Sequence, residues 1–280
     1  MLGGVRVVTL APNIPGPVAA ARLVELGATV VKVEPPLGDP LTVVAPRYYA
    51  ALHAGIRVER LDLKSDAGRV RLDAFLADAD VLLTSSRPSA LGRLGLAWEQ
   101  LHARFPRLVH VAIVGEPAPD DERAGHDLTY VAQLGLLEPP AMPRTLLADL
   151  AGAERAVSAA LALLLRRERG LGASRSDVAL RDAARVFAGP LEHGLTKCGG
   201  WLGGGFAGYR TYRARDGWIA VAALEPHFWK RLRDALAVDD GDAALLEERF
   251  AQRDASAWEM WARERDLPIV AVRTEQGEPV

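Results

Sequence analysis

Four short runs of strand-forming residues, at 5–10, 29–33, 81–83 and 108–114, alternate with stretches of helical character over the first 115 residues. This alternation constrains the fold more than any other feature. Strands joined through helices pair in parallel, and a parallel sheet is covered on both faces. The expectation is a doubly wound α/β fold, with helices at 18–26, 67–78 and 98–104. Leu61-Asp62-Leu63 reads as a further strand, and 41–54 as irregular chain. The run at 29–33 reads as a second, fully apolar strand of the kind a parallel sheet buries on both faces. After the first strand comes Ala11-Pro12-Asn13-Ile14-Pro15-Gly16-Pro17, in which Pro17 suits the first position of a helix. No Gly-x-Gly-x-x-Gly follows that strand, so classical dinucleotide binding is not expected. Arg87 and Arg93 follow the 81–83 strand, where ligands of such sheets lie, although solvated arginines would look the same.

The character changes beyond residues 180–188. Gly199-Gly200-Trp201-Leu202-Gly203-Gly204-Gly205 is too rich in glycine for regular structure and reads as a mobile loop at a domain boundary. Residues 209–212 and 218–222 then flank the turn Arg215-Asp216-Gly217 as a hairpin. Helices are expected from Glu225-Pro226 and over 243–252 and 256–265, with a last strand at 269–272. The chain therefore divides into a large Rossmann-like domain, 1–198, and a smaller mixed α+β domain, 199–280.

The formal charge of −2 gives no basic field for nucleic acid or an anionic membrane, so an anionic ligand must be held by local arginines. A single cysteine, Cys198, excludes an internal disulfide framework and points to a reducing compartment, with cytoplasm as the default. The N-terminus lacks the regions of a signal peptide, and the apolar helical run 156–165 is too short to cross a bilayer.

Two segments carry candidate chemistry. Gly125-His126-Asp127 precedes one apolar helical run, and Leu147-Ala148-Asp149-Leu150-Ala151-Gly152 opens another. Between them Glu138-Pro139-Pro140-Ala141-Met142-Pro143 reads as a loop that brings the ends of two helices together. A histidine would then face a carboxylate. An imidazole titrates near neutrality and burial raises a carboxyl, so the pair could take a proton from one face of a substrate and return one to the other. Asp149 also stands where an aspartate commonly caps a helix.

These segments, in this order, resemble the class III CoA-transferases, of the CaiB/BaiF type. The resemblance runs through Pro15-Gly16-Pro17, through Leu26-Gly27-Ala28-Thr29-Val30-Val31-Lys32-Val33-Glu34-Pro35-Pro36, and through Gly38-Asp39-Pro40. It continues in Leu61-Asp62-Leu63-Lys64-Ser65, Arg87-Pro88 and Arg93-Leu94-Gly95-Leu96. Gly125-His126-Asp127 and residues 219–228 are similar to the α-methylacyl-CoA racemase branch, since the transferases carry an aromatic residue in place of His126. The resemblance implies an acyl-CoA substrate held as its coenzyme A thioester, no metal, and a homodimer of interlocked chains. It also implies roles: His126 and Asp149 as the acid/base pair, Glu225 as a carboxylate that supports the histidine across the seam, and Arg87, Arg93 and Lys64 as CoA contacts. The implied activity is racemisation or epimerisation of 2-methylacyl-CoA thioesters. The alternatives are CoA transfer between carboxylic acids, with Asp149 as nucleophile, and a non-catalytic homologue. The chain departs from the family at 41–57, where Tyr48, Tyr49, His53 and Arg57 replace its usual CoA-contacting cluster, and in the acidic stretch 116–122. It also ends without the family's return segment, so the two chains are expected to clasp rather than thread each other.

Overall fold

The computed structural model describes residues 1–239 and 243–273. Its chain forms two compact units, Met1–Ala188 and Gly189–Val280. The first runs β1 (Arg6–Thr9), α1 (Pro15–Glu25), β2 (Thr29–Glu34), α2 (Leu41–Val44), α3 (Pro46–Leu52), β3 (Arg57–Arg60), α4 (Asp66–Ala77) and β4 (Val81–Thr84). It continues with α5 (Pro88–Arg93), α6 (Trp98–Arg104), β5 (Val109–Val114), α7 (Asp127–Gln133), α8 (Leu147–Arg166), β6 (Arg175–Ala179) and α9 (Leu180–Glu192), whose last four residues fall in the second unit.

The six strands pair in parallel in the order β3-β2-β1-β4-β5-β6, the doubly wound arrangement. Alternate residues of each strand serve opposite faces. Val7, Val81 and Leu83 join the core beneath α1, α7 and α8, whereas Val8 and Leu82 join the one beneath α4 and α6. Gly16 lets α1 start hard against the turn after β1, because a methyl there would stand 2.3 Å from Ala11 Cβ.

Three readings of this part of the sequence change. The strand expected at Leu61-Asp62-Leu63 lies earlier, as β3, because the ladder with β2 ends when Leu61 N–H bonds Glu34 O at 2.9 Å. Asp62 instead closes a turn by accepting Lys64 N–H at 3.0 Å. The segment 41–54 is not irregular: Pro46 starts α3, and Asp39 accepts Leu41 N–H at 2.9 Å just ahead of α2. Lys32 makes β2 other than an apolar strand. Its ammonium is buried, 1% exposed, and meets Asp39, Glu34 and His53.

In the second unit β7 (Tyr209–Arg213) and β8 (Trp218–Ala222) form the hairpin. They are followed by α10 (Pro226–Leu236), α11 (Ala243–Phe250), α12 (Ala255–Arg263) and β9 (Ile269–Ala271), which pairs antiparallel with β8. The core is aromatic: Tyr212 packs on Phe250 and Phe250 on Trp258, with ring centroids 5.0 and 5.1 Å apart. Both polar tips are satisfied, since Tyr212 donates to Ala207 O at 2.6 Å and Trp258 to Phe250 O at 2.8 Å. The glycine-rich stretch is wound into a compact coil rather than an open loop. Gly200 accepts from both Gly203 and Gly205 at 2.9 Å, and Trp201 stacks on Phe206 at 4.2 Å. No helix among the described residues is long and apolar enough to cross a membrane.

Candidate active site

A cavity of about 250 Å³ opens at the carboxyl ends of β1, β4 and β5, where the strand order reverses. Crevices at that switch point hold the ligands of open α/β sheets. The turn after β1 contributes Pro12 and Asn13, the β4 end contributes Ser86 and Arg87, and the β5 end contributes Gly115. His126 and Asp149 line the same cavity.

The start of α7 fixes His126. Its backbone is extended (φ −142°, ψ 168°), and Thr129 Oγ1 accepts its N–H at 3.1 Å while donating to its carbonyl at 2.8 Å. The ring is left exposed. The next residue, Asp127, is 4% exposed, and one of its carboxylate oxygens accepts the N–H groups of Ala148 at 2.6 Å and Asp149 at 3.0 Å. Two orphan donors of the α8 terminus are thus satisfied from α7, 21 and 22 residues away in sequence. The capping duty that the sequence offered to Asp149 falls to Asp127. Asp149 sits at the third helical position with its carboxyl free of that work, and α7 and α8 are tied together beside the cavity.

Asp149 is part-buried, and its carboxyl is pushed up to about 6. Burial is the main cause, the nearby Asp127 charge adds to it, and His126 opposes it. A carboxyl in that range can give or take a proton near neutral pH.

The remaining sequence candidates lie apart. Arg87 precedes α5 and lines the cavity; Arg93 is in the last turn of α5 and Lys64 is exposed after β3, and neither lines it. Glu122, from the acidic stretch, accepts Ser89 N–H at 2.7 Å and Ser89 O–H at 2.9 Å. These bonds, with Arg87 and Arg93 nearby, hold its carboxyl below the usual range. Glu225 belongs to the second unit, where it is the exposed residue ahead of α10 and its carbonyl accepts Trp229 N–H at 2.9 Å. Among the described residues no group of three His, Cys, Asp or Glu side chains is placed to hold a metal ion.

Sequence reasoning passed over Asp127 and Tyr130. Asp127 was visible as an acid beside His126, and Tyr130 as the residue one helical turn beyond it.

A doubly wound sheet with a carboxyl and an imidazole at its switch point describes many enzymes. The comparisons narrow it: residues 2–277 match the model of CoA-transferase family III, and the chain belongs to that family. The family includes CoA-transferases and acyl-CoA racemases, and this chain is an enzyme of that family. It is 29% identical to a probable fatty acyl-CoA transferase of Mycobacterium tuberculosis, over 90% of this chain and 72% of that protein. It is 33% identical to the α-methylacyl-CoA racemase of Homo sapiens, over 85% of this chain and 65% of the racemase. The crystal structure of a hypothetical protein from Mycobacterium tuberculosis matches with a TM-score of 0.85 at 26% identity, covering 98% of this chain and 86% of that one.

Proposed function

We propose that this enzyme racemises or epimerises 2-methylacyl-CoA thioesters by removing the α-proton on one face and returning a proton on the other. The observation that carries the reading is Asp149, relieved of capping, raised to about 6 and sharing one cavity with His126. The α-hydrogen of a thioester is a weak acid, so its removal needs a placed base and a stabilised oxyanion. Asp149 takes the proton from C2, the C–H electron pair moves onto the thioester oxygen, and His126 delivers a proton to the opposite face. Arg87, Arg93 and Lys64 are assigned the CoA phosphates. Glu225 of the partner subunit is assigned the support of His126 in a homodimer, on the family resemblance. Mixing His126→Ala with Glu225→Ala chains then restores exchange in part of the dimers, and no recovery removes Glu225 from the site.

The test is exchange of the α-proton of a 2-methylacyl-CoA in deuterated water. His126→Ala and Asp149→Asn should each abolish it, and unchanged exchange in both variants would overturn the reading. In the direction where Asp149 is the base, kcat/KM should rise with pH through about 6, because the carboxyl must be ionised to accept the proton.

The likeness to a probable fatty acyl-CoA transferase supports a second reading. In it the Asp149 carboxylate attacks the thioester carbonyl, expels the CoA thiolate and forms a mixed anhydride, from which CoA is passed to another acid. Acyl-CoA with hydroxylamine would then inactivate the enzyme by modifying Asp149. An unmodified Asp149 peptide after turnover rejects that route, and no CoA binding in calorimetry at millimolar ligand rejects both.

A further inference from the structure

We infer that Tyr130 is a further catalytic residue of this site, its hydroxyl donating a hydrogen bond to the thioester oxygen as negative charge builds there. The inference rests on the proton-transfer reading and adds the group that receives the displaced charge. Tyr130 N–H reaches back to His126 O at 3.3 Å, so the two residues stand one turn apart at the start of α7, and both line the cavity.

The space around the phenol is made by two glycines. A methyl on Gly115 would stand 2.1 Å from the Tyr130 hydroxyl oxygen, and one on Gly125 would stand 2.6 Å from it. Neither glycine has a positive φ, so backbone conformation does not require glycine at either position. Occupied space does. Both residues line the cavity together with Tyr130, so the hydroxyl is seated in the cavity wall.

The residue is 2% exposed, yet its hydroxyl makes no hydrogen bond among the described residues. Buried tyrosine hydroxyls ordinarily find a partner. Here the cavity is the direction in which one can arrive. Burial first, then the Glu116 and Asp149 charges, raise the phenol above its ordinary range, against Arg87. It therefore stays protonated and able to donate at any working pH. The proton balance is closed without it: the C2 proton goes to Asp149, the electron pair to oxygen, and the Tyr130 proton stays on its own oxygen throughout.

Tyr130→Phe keeps the ring and removes only the donor. It should lower kcat about 100-fold, the effect of losing one oxyanion donor, with KM unchanged. A CoA thioether carrying a planar nitronate copies the enolate, and Tyr130→Phe should weaken its binding by the same factor while leaving CoA binding unchanged. The acid limb of kcat/KM should stay near pH 6. Unchanged nitronate binding overturns the assignment, and so does an acid limb displaced upward, which would mean that the hydroxyl serves Asp149 instead. Exchange lost in Asp149→Asn but intact in Tyr130→Phe overturns the Tyr130 role alone. Exchange intact in Asp149→Asn brings down the proton-transfer reading and this one with it.

Discussion

Asp149→Asn should remove α-proton exchange by about 1000-fold or more and at the same time make the protein more stable at neutral pH. Both effects have one cause. The folded chain holds the Asp149 carboxyl at about 6, against 3.8 for a free aspartate, chiefly because ionising it means putting a charge in a part-buried place beside Asp127. A raised folded value means that the native state binds the proton more tightly than the unfolded state does. Stability therefore falls as pH climbs from about 4 to about 6, and the penalty persists at higher pH. Asparagine carries no charge and escapes it. Discounted for the solvent that reaches a part-exposed carboxyl, the gain is about 1–3 kcal/mol above pH 7. It should shrink to nothing below about pH 4, where both states of the wild type are protonated. Urea unfolding of the two proteins at about pH 8 and about pH 4 measures it. A variant no more stable than wild type at the higher pH, or equally favoured at both, would show that the carboxylate is not held at a cost. An inactive but stabilised variant is the signature of a catalytic carboxylate held at a cost, since asparagine caps a helix about as well as aspartate and its substitution for a merely capping residue would leave stability nearly unchanged.

Lys32→Met should cost about 3–5 kcal/mol, the largest loss expected from a single substitution outside the apolar cores. The Lys32 ammonium meets Asp39 at 2.5 Å, Glu34 at 3.1 Å and His53 Nε2 at 2.8 Å. His53 Nδ1 lies 2.6 Å from Tyr49 O, which assigns its proton there and leaves Nε2 to accept from Lys32. Tyr49 in turn donates to Glu34 at 2.7 Å. Both carboxylates are 1% exposed, and the other cation near them, Arg60, stands 4.0 Å from Glu34. Methionine fills similar volume but strands two buried negative charges. Replacing the whole cluster with apolar groups would not cost the same, so the loss measures an uncompensated charge. The change should appear in denaturant unfolding as a lower midpoint with an unaltered slope. An unshifted midpoint would mean that the carboxylates are neutralised some other way. His53 adds a pH dependence, because burial holds its imidazole below the ordinary value. Its contribution is complete above about pH 6.5 and is lost as the pH falls through the lower folded value.

The sheet was legible because its signal is local. A buried parallel strand needs a short apolar run, and a helix between strands needs its own periodicity, so β1, β2, β4 and β5 could be read one at a time. β6 could not be read this way. Its sequence Arg175-Ser176-Asp177-Val178-Ala179 is polar through most of its length, and only pairing with β5 at the edge of the sheet makes it a strand. Lys32 fails the same local test, since nothing near it in sequence says that a lysine can be buried until Asp39 and His53 are folded against it.

The site divides in the same way. The residue types were on display: a histidine and an aspartate at the starts of two helices separated by prolines, and these specify which chemistry is available. Whether Asp149 caps a helix or is free to react was decided by Asp127, whose carboxylate takes the α8 donors from another helix. The value near 6 was decided by burial and a neighbouring charge, neither of which a sequence lays out. Composition and periodicity fix which elements form because those depend on near neighbours in the chain. Desolvation and the pairing of charges depend on groups brought together from far apart, and those only the tertiary structure supplies.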